Sequence, residues 1–315
     1  MRIGKVFKRR KAKTRREGKR EGVVQRLQPF IDSISMYQAF VFVLSLILLV
    51  QSALAEDKPL MNIHTAMMES TCKIVGQGSM GTGFIVGRPD NTAPERSFYT
   101  LITADHVLAQ AQGDGVVLVL RRMKDTGEWE RVELPLRIRN AGKNLWQKHP
   151  DVDLAAVHVN LPEKCIRAII PMAMLLTDAK ISEFEICPGT ELLCLGYPFG
   201  AEANPLGFPI LRSGKIASYP LLPTKTTKTF LFDFTVFKGN SGGPVYLYDK
   251  APIYGGAMHA GAIQGIIGVI TAERNITQKV EQLYERRETV TPLALGEVIH
   301  ARFIEELINS LPKPQ

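Results

Sequence analysis

Past residue 58 the chain alternates between short apolar, β-branched runs and clusters of Gly, Pro, Asn or Asp. The runs include Lys73-Ile74-Val75, Gly83-Phe84-Ile85-Val86, Tyr99-Thr100-Leu101-Ile102, Gly115 to Leu120 and Leu154 to Val159. Further along come Glu191 to Leu195, Lys215 to Ser218, Thr229 to Phe232 with Phe234, and Ile263 to Ile270. Apolar runs of about 4–8 residues bounded by turn formers predict an all-β sandwich or barrel rather than βαβ units. The C-terminus has a different rhythm. After Thr291-Pro292, the positions Leu295, Val298, Ile299, Phe303, Leu307 and Ile308 follow a 3.6-type spacing, with Pro312 beyond, and predict one amphipathic helix over about 293–311. No repeat of fixed period and no low-complexity stretch occurs in this region.

Composition narrows the class. Of 315 residues, 45% are hydrophobic and 22% charged, which excludes a disordered chain, a collagen-like repeat and a multi-span membrane protein. All-β barrel proteins commonly use about 200–250 residues as one unit, so residues 56–315 are expected to form a single domain. The net charge of +8 suggests a nucleic-acid partner until it is located. Residues 1–55 hold 12 Lys/Arg against 3 Asp/Glu, which leaves 27 and 28 for the rest, so the body of the chain is close to neutral.

Residues 1–55 read as an address. A basic run from Arg2 to Arg26 precedes an apolar stretch from Ala39 to Val50, then Ala53 and Ala55 at A-x-A spacing before Glu56. That is the layout of a secretory signal peptide, and the expectation is an exported chain, periplasmic or secreted, beginning near Glu56. Two other readings stay open: translation from Met36, or retention of residues 36–55, 20 in number, as a membrane tether. The Lys/Arg excess holds the N-terminus in the cytoplasm in either case. Nucleic-acid binding by residues 8–20 is the competing reading, and an exported chain meets little nucleic acid.

Three separate segments could make one site. Gly239-Asn240-Ser241-Gly242-Gly243-Pro244 is a glycine-rich loop able to adopt backbone angles closed to other residues. The N–H groups of Gly239 and Ser241 could converge there as an oxyanion hole. A serine hydroxyl needs a base within hydrogen-bond reach, and His106 closes an apolar strand in Leu101-Ile102-Thr103-Ala104-Asp105-His106. The base needs a carboxylate to hold its tautomer. Asp153, abutting the apolar run Leu154 to Val157, is preferred; Asp151 and Asp105 compete for the role. The bland alternatives are a plain turn at the serine and a core histidine at the strand end.

Thr-Ala-Asp-His, Asp-Leu-Ala-Ala-Val and Gly-Asn-Ser-Gly-Gly-Pro stand here in the His…Asp…Ser order, and the chain resembles the trypsin-like (chymotrypsin-fold) serine proteases. Gly81-Thr82-Gly83-Phe84-Ile85-Val86, Leu195-Gly196-Tyr197-Pro198-Phe199-Gly200, Ser213 to Ser218 and Gly265 to Ala272 draw the resemblance toward the bacterial high-temperature-requirement type. It runs from about Cys72 to Ala272, and no PDZ-like module follows. The resemblance implies two six-stranded antiparallel β-barrels and a serine endopeptidase acting on polypeptide substrates through an acyl-enzyme, without metal or cofactor. Carried over, Ser241 is the nucleophile, His106 the general base and acid, Asp153 the orienting carboxylate, and Gly239 and Ser241 the oxyanion donors. The alternative is a protease-like binding or scaffolding protein whose loop is inactive or conditionally active.

The resemblance also places Thr235, six residues before the nucleophile, at the base of the specificity pocket. With Gly268 and Ile270 nearby, it implies a preference for small or medium apolar residues over Lys or Arg. Lys73-Ile74-Val75-Gly76 looks like an activation site whose cleavage frees an ammonium, but Asn240 before Ser241 offers no charge to receive it. Ile74-Val75 is therefore expected in an ordinary first strand. Cys72, Cys165, Cys187 and Cys194 allow three pairings, and none forms a C-x-x-C or Cys/His cluster suggestive of zinc.

Overall fold

The computed structural model describes residues 62–89, 97–167, 169–282 and 285–312. The address segment, residues 1–55, lies outside them, and with it the tether and the export expectation. Among the described residues no helix is long and apolar enough to cross a membrane.

The first element is a helix, α1 (Ile63–Ser70), whose N-terminus is capped by the Asn62 side chain accepting from the His64 N–H at 2.9 Å. Then come β1 (Thr71–Gln77), β2 (Ser79–Pro89), β3 (Ser97–Thr103), the single-turn helix α2 (Asp105–Ala109), β4 (Gln112–Met123) and β5 (Trp129–Arg137). Four short strands follow: β6 (Arg139–Asn140), β7 (Lys143–Asn144), β8 (Gln147–Lys148) and β9 (Ala155–His158). With β10 (Ile170–Pro171) set parallel on β2, they form an eight-stranded sheet in the order β5-β4-β1-β2-β3-β9-β8, while β6 and β7 pair with each other. Ile74 lies buried inside β1, paired on both sides, as an ordinary strand residue.

The second half begins with a short helix, α3 (Asp178–Glu183), followed by β11 (Glu191–Gly196), β12 (Ile210–Ile216), β13 (Thr229–Asp233), β14 (Pro244–Asp249), and the small hairpin β15 (Ile253–Tyr254) and β16 (Ala257–Met258). Two long strands, β17 (Ile263–Gln282) and β18 (Glu285–His300), precede the last helix, α4 (Ala301–Ser310). Here the sheet closes into an antiparallel six-stranded barrel, β11-β12-β13-β18-β17-β14. The fold is all-β, and one of the two expected six-stranded barrels is this one. The N-terminal sheet has eight strands, and no ladder joins its outer strands β5 and β8 among the described residues. The chain between them is diverted into the β6–β7 hairpin.

One boundary needs correction. The sequence predicts helix over 293–311, whereas the helix starts at Ala301 and residues up to His300 are strand. Val298 stands opposite Phe230 on one neighbour and Ile270 on the other, so this segment is the stave that closes the barrel. β-Branched Val298 and Ile299 suit that place, and tertiary pairing overrides a helical period. α4 itself follows its amphipathic pattern. Phe303, Ile304, Leu307 and Ile308 are buried with Ile63, Met67, Phe84, Tyr246 and Ile266 in a cluster shared by both sheets. Each such side chain is worth roughly 1.5–3 kcal/mol when fully buried.

Polar groups brace this core. Arg121 of β4 is fully buried, and its guanidinium donates to the carbonyls of Met68 (2.8 Å), Glu69 (2.9 Å), Thr71 (2.5 Å) and Gly207 (3.0 Å) and to the Tyr197 hydroxyl (3.1 Å). It thereby ties the end of α1 to the 197–208 loop. Lys73 and Arg131 hold the same loop through Glu202. All four cysteines are free, with Cys187 exposed and the other three buried.

His300, at the junction of β18 and α4, is buried with neither ring nitrogen bonded to a partner. Burial moves its pKa from 6.5 down to about 4, against a small upward pull from Asp178. The unfolded imidazole takes up a proton near 6.5 and the folded one only near 4. Stability is therefore expected to fall as pH drops through that window, by about 3 kcal/mol, and to level off below it. Urea unfolding between pH 7 and 4 tests this, with His300→Leu as control. A profile with the same slope in both chains would discard the assignment.

Candidate active site

The strand register brings His106 to Asp153. β3 and β9 run antiparallel with Thr103 opposite Ala155. Three residues beyond Thr103 and two before Ala155, the chain therefore returns to the same spot. α2 fixes the histidine there, because Val107 and Leu108 on the same turn are buried in the N-terminal sheet's core. His106 Nδ1 lies 2.6 Å from Asp153 Oδ2, and the His106 backbone N–H donates to Oδ1 at 3.0 Å. Both carboxylate oxygens are thus engaged by one residue. Burial pushes the Asp153 carboxyl up, but the two His106 bonds, the imidazole charge and Lys148 outweigh it and hold the group below the ordinary carboxylate range. An ionised carboxylate on Nδ1 selects the tautomer with its proton there and leaves Nε2 free to accept.

The rival carboxylates are engaged elsewhere. Asp105 accepts from Trp146 Nε1 and pairs with Lys148 Nζ, each at 2.8 Å. Asp151 pairs with Lys228 at 3.3 Å. Of the three, Asp153 is the one that touches the imidazole.

The serine loop connects β13 to β14. Its tight form comes from Asn240 N–H donating to Phe237 O and Gly243 N–H to Asn240 O, both at 2.9 Å. Gly239 (φ +99) and Gly242 (φ +87) occupy the left-handed region. A Cβ on Gly239 would lie 2.2 Å from Tyr197 O, and one on Gly242 would lie 2.0 Å from Thr82 O. No other residue fits either place.

Thr82 of β2 secures this loop to the N-terminal sheet. Its N–H donates to Ser241 O at 2.9 Å and its hydroxyl to Gly239 O at 2.6 Å, while its carbonyl accepts from the Thr103 hydroxyl at 2.7 Å. With the Gly239 and Ser241 carbonyls bound in this way, the N–H groups of both residues have no acceptor among the described residues. The Ser241 hydroxyl donates to Thr271 O at 3.2 Å. No hydrogen bond joins it to His106 among the described residues.

The pocket residues divide. Thr235 is half-buried, and its carbonyl accepts from Arg212 Nη1 at 2.8 Å. Arg212 also lies over the Phe234 and Phe237 rings, at 4.1 and 5.3 Å. Ile270 is buried in the barrel core cluster. At Gly268 a Cβ would stand 2.2 Å from Ile299 O, which marks a close approach of β18. Gly296 of β18 stands opposite Phe232, and a Cβ there would lie 2.9 Å from Val236, a second close approach in the barrel. Sequence reasoning missed Arg212 and Thr271, which carry no spacing signal. Thr82 was legible as part of Gly81-Thr82-Gly83 but not for its role.

Residues 81–253 match the model of the trypsin-like peptidase domain. No curated protein matches the chain. Among solved structures, an inactive serine-to-alanine mutant of Rv3671c from M. tuberculosis H37Rv is 17% identical, with a TM-score of 0.42 over 82% of this chain and 96% of that one. Protease Anisep from Arthrobacter nicotinovorans is 15% identical, with a TM-score of 0.42 over 77% and 95%. The thermostable serine protease AL20 from an extremophilic microorganism is 13% identical, with a TM-score of 0.42 over 78% and 97%. The domain match spans more than half of the 315 residues, and the chain belongs to the trypsin-like peptidase family.

Proposed function

We propose that this peptidase is a serine endopeptidase that cleaves polypeptides through His106, Asp153 and Ser241. The observation that carries the reading is the double bond from His106 to the Asp153 carboxylate, set across from a loop whose glycines free two N–H groups. In the first step the Ser241 hydroxyl leaves Thr271 O, a rearrangement of about 1 kcal/mol, and gives its proton to His106 Nε2 as Oγ attacks the peptide carbonyl. Gly239 and Ser241 N–H receive the oxyanion. The imidazolium, held by Asp153, then protonates the leaving amine, and water hydrolyses the acyl-enzyme by the same route. Residues 1–55 fit export of the domain, with residues 36–55 as the alternative tether.

The serine's bond to Thr271 O favours a second reading, a protease-like binder whose site is at rest until a ligand turns the hydroxyl. Thr235, with Gly268 and Ile270 nearby, remains the proposed base of the specificity pocket, and the fixed cation at Arg212 on the Thr235 carbonyl disfavours Lys or Arg beside the scissile bond.

A fluorophosphonate probe is expected to label the wild-type chain and not Ser241→Ala, which should fold normally and lose about 10⁶-fold in turnover. Absence of labelling under every condition supports the binder. Asp153→Asn should lower kcat by about 10⁴-fold, whereas Asp151→Asn and Asp105→Asn should stay within about tenfold of wild type. Equal losses in all three would remove Asp153 from its role. In a peptide library, cleavage is expected after small or medium apolar residues, and cleavage mainly after Lys or Arg contradicts the pocket.

A further inference from the structure

The loop that carries Asp153 is organised by a second histidine. β8 and β9 pair with Lys148 opposite Ala155, so residues 149–154 turn the hairpin between them. His149 N–H donates to Leu154 O at 2.9 Å and closes the turn. Inside it, Leu154 N–H donates to Val152 O at 2.8 Å, which puts Asp153 at the apex of a γ-turn. A third bond comes from a side chain: Asp151 N–H donates to His149 Nδ1 at 3.1 Å. Pro150, between the two, has no N–H to offer and a fixed φ.

The ring that accepts this bond is anchored on α4. His149 is buried, edge-on to Phe303 with centroids 5.2 Å apart, and its Nε2 faces Glu306 Oε2 at 3.5 Å. Arg302 Nε donates to the other Glu306 oxygen at 2.7 Å. Accepting from an N–H requires Nδ1 to be bare, so the ring proton sits on Nε2, toward the carboxylate. Leu154 and Phe303 belong to the core cluster that both sheets share, with Val152 packed against it. Two histidine–carboxylate pairs thus stand in series. Glu306 faces His149, His149 ties the loop, and the loop presents Asp153 to His106 at 2.6 Å.

The Asp151–His149 bond has the form of an Asx turn, in which a side-chain acceptor takes the N–H two residues on. The chain makes that turn in its usual form at Asn204, which accepts from Leu206 N–H at 3.1 Å, and at Asp249, which accepts from Ala251 N–H at 3.0 Å. At His149 the acceptor belongs to a ring wedged into the core. Among the described residues it is the one side chain bonded to the backbone of this loop. The Lys228–Asp151 ion pair at 3.3 Å is a second tie, exposed to water and correspondingly weak.

Resting on the endopeptidase reading, we propose that His149 is a positioning residue for the reaction, its Nδ1 holding the Asp151–Asp153 segment so that the Asp153 carboxylate meets His106. It touches no reacting atom. Its part is placement, and a shift of about 1 Å in a catalytic group can cost about 10²-fold in rate.

Two substitutions separate the acceptor from the ring. His149→Phe keeps an aromatic ring against Phe303 and removes the acceptor. His149→Asn keeps an acceptor for the Asp151 N–H, as an Asx turn, and removes the ring. On a fluorogenic peptide with a small apolar residue before the scissile bond, His149→Phe is expected to lower kcat by about 10- to 100-fold with KM within about threefold. His149→Asn should keep kcat within about threefold of wild type. Thermal stability should rank the other way, with His149→Asn unfolding at the lower temperature; a packing role alone gives the same order for both. The proton on His106 Nδ1 supplies a readout apart from turnover. Its low-field NMR resonance is expected in wild type and in His149→Asn, and should move upfield in His149→Phe. A His149→Asn chain whose kcat falls by about tenfold or more overturns the proposal, whether or not His149→Phe folds. Undiminished kcat and an unmoved resonance in a folded His149→Phe overturn it equally. If the wild-type chain takes no fluorophosphonate label, the endopeptidase reading fails, and the resonance alone decides whether His149 places Asp153.

Discussion

Two sheets that share one buried cluster meet at the candidate site, and Thr82 is where they are held in register. Its N–H and hydroxyl take the Ser241 and Gly239 carbonyls, and its carbonyl takes the hydroxyl of Thr103, three residues before His106. The serine loop is thereby fixed against the strand that delivers the histidine. Hydrogen bonds buried in this way are geometrically strict, because a shift that breaks one leaves a polar group unpaired in a dry place. The glycines of the loop follow from the same contact, since a side chain on Gly242 would fill the space occupied by the Thr82 carbonyl.

The electrostatics of the site are simple beside its sterics. One carboxylate receives two donors from one residue, and the neighbouring acids are neutralised by Lys148 and Lys228. The imidazole thus faces a single orienting charge. The arrangement depends on the pairing of β3 with β9, which the core beneath both strands enforces through Leu101, Ile102, Ala155 and Val157.

The sequence made much of this legible. The runs at 73–75, 83–86, 99–102, 115–120, 191–195 and 263–270 all lie in strands, since short apolar stretches between turn formers have few other uses. His106 and Asp153 were readable because each abuts such a run. β5 was harder to see, as Pro135 interrupts it; a proline is tolerated there because β5 is an edge of its sheet. β18 was misread because Leu295, Val298 and Ile299 happen to continue the period of α4, and only the vacancy between β13 and β17 decides for strand. The placements of Ile270 and Gly268 depend on how β17 lies against β18, which no local pattern encodes.

Arg121 carries a last consequence. Its guanidinium grips Tyr197, and Tyr197 O backs directly onto the Gly239 turn. Behind that turn, then, stands a permanent cation threaded through the interior and anchored on α1 and β1. Trimming the polypeptide ahead of Asn62 leaves that buttress untouched.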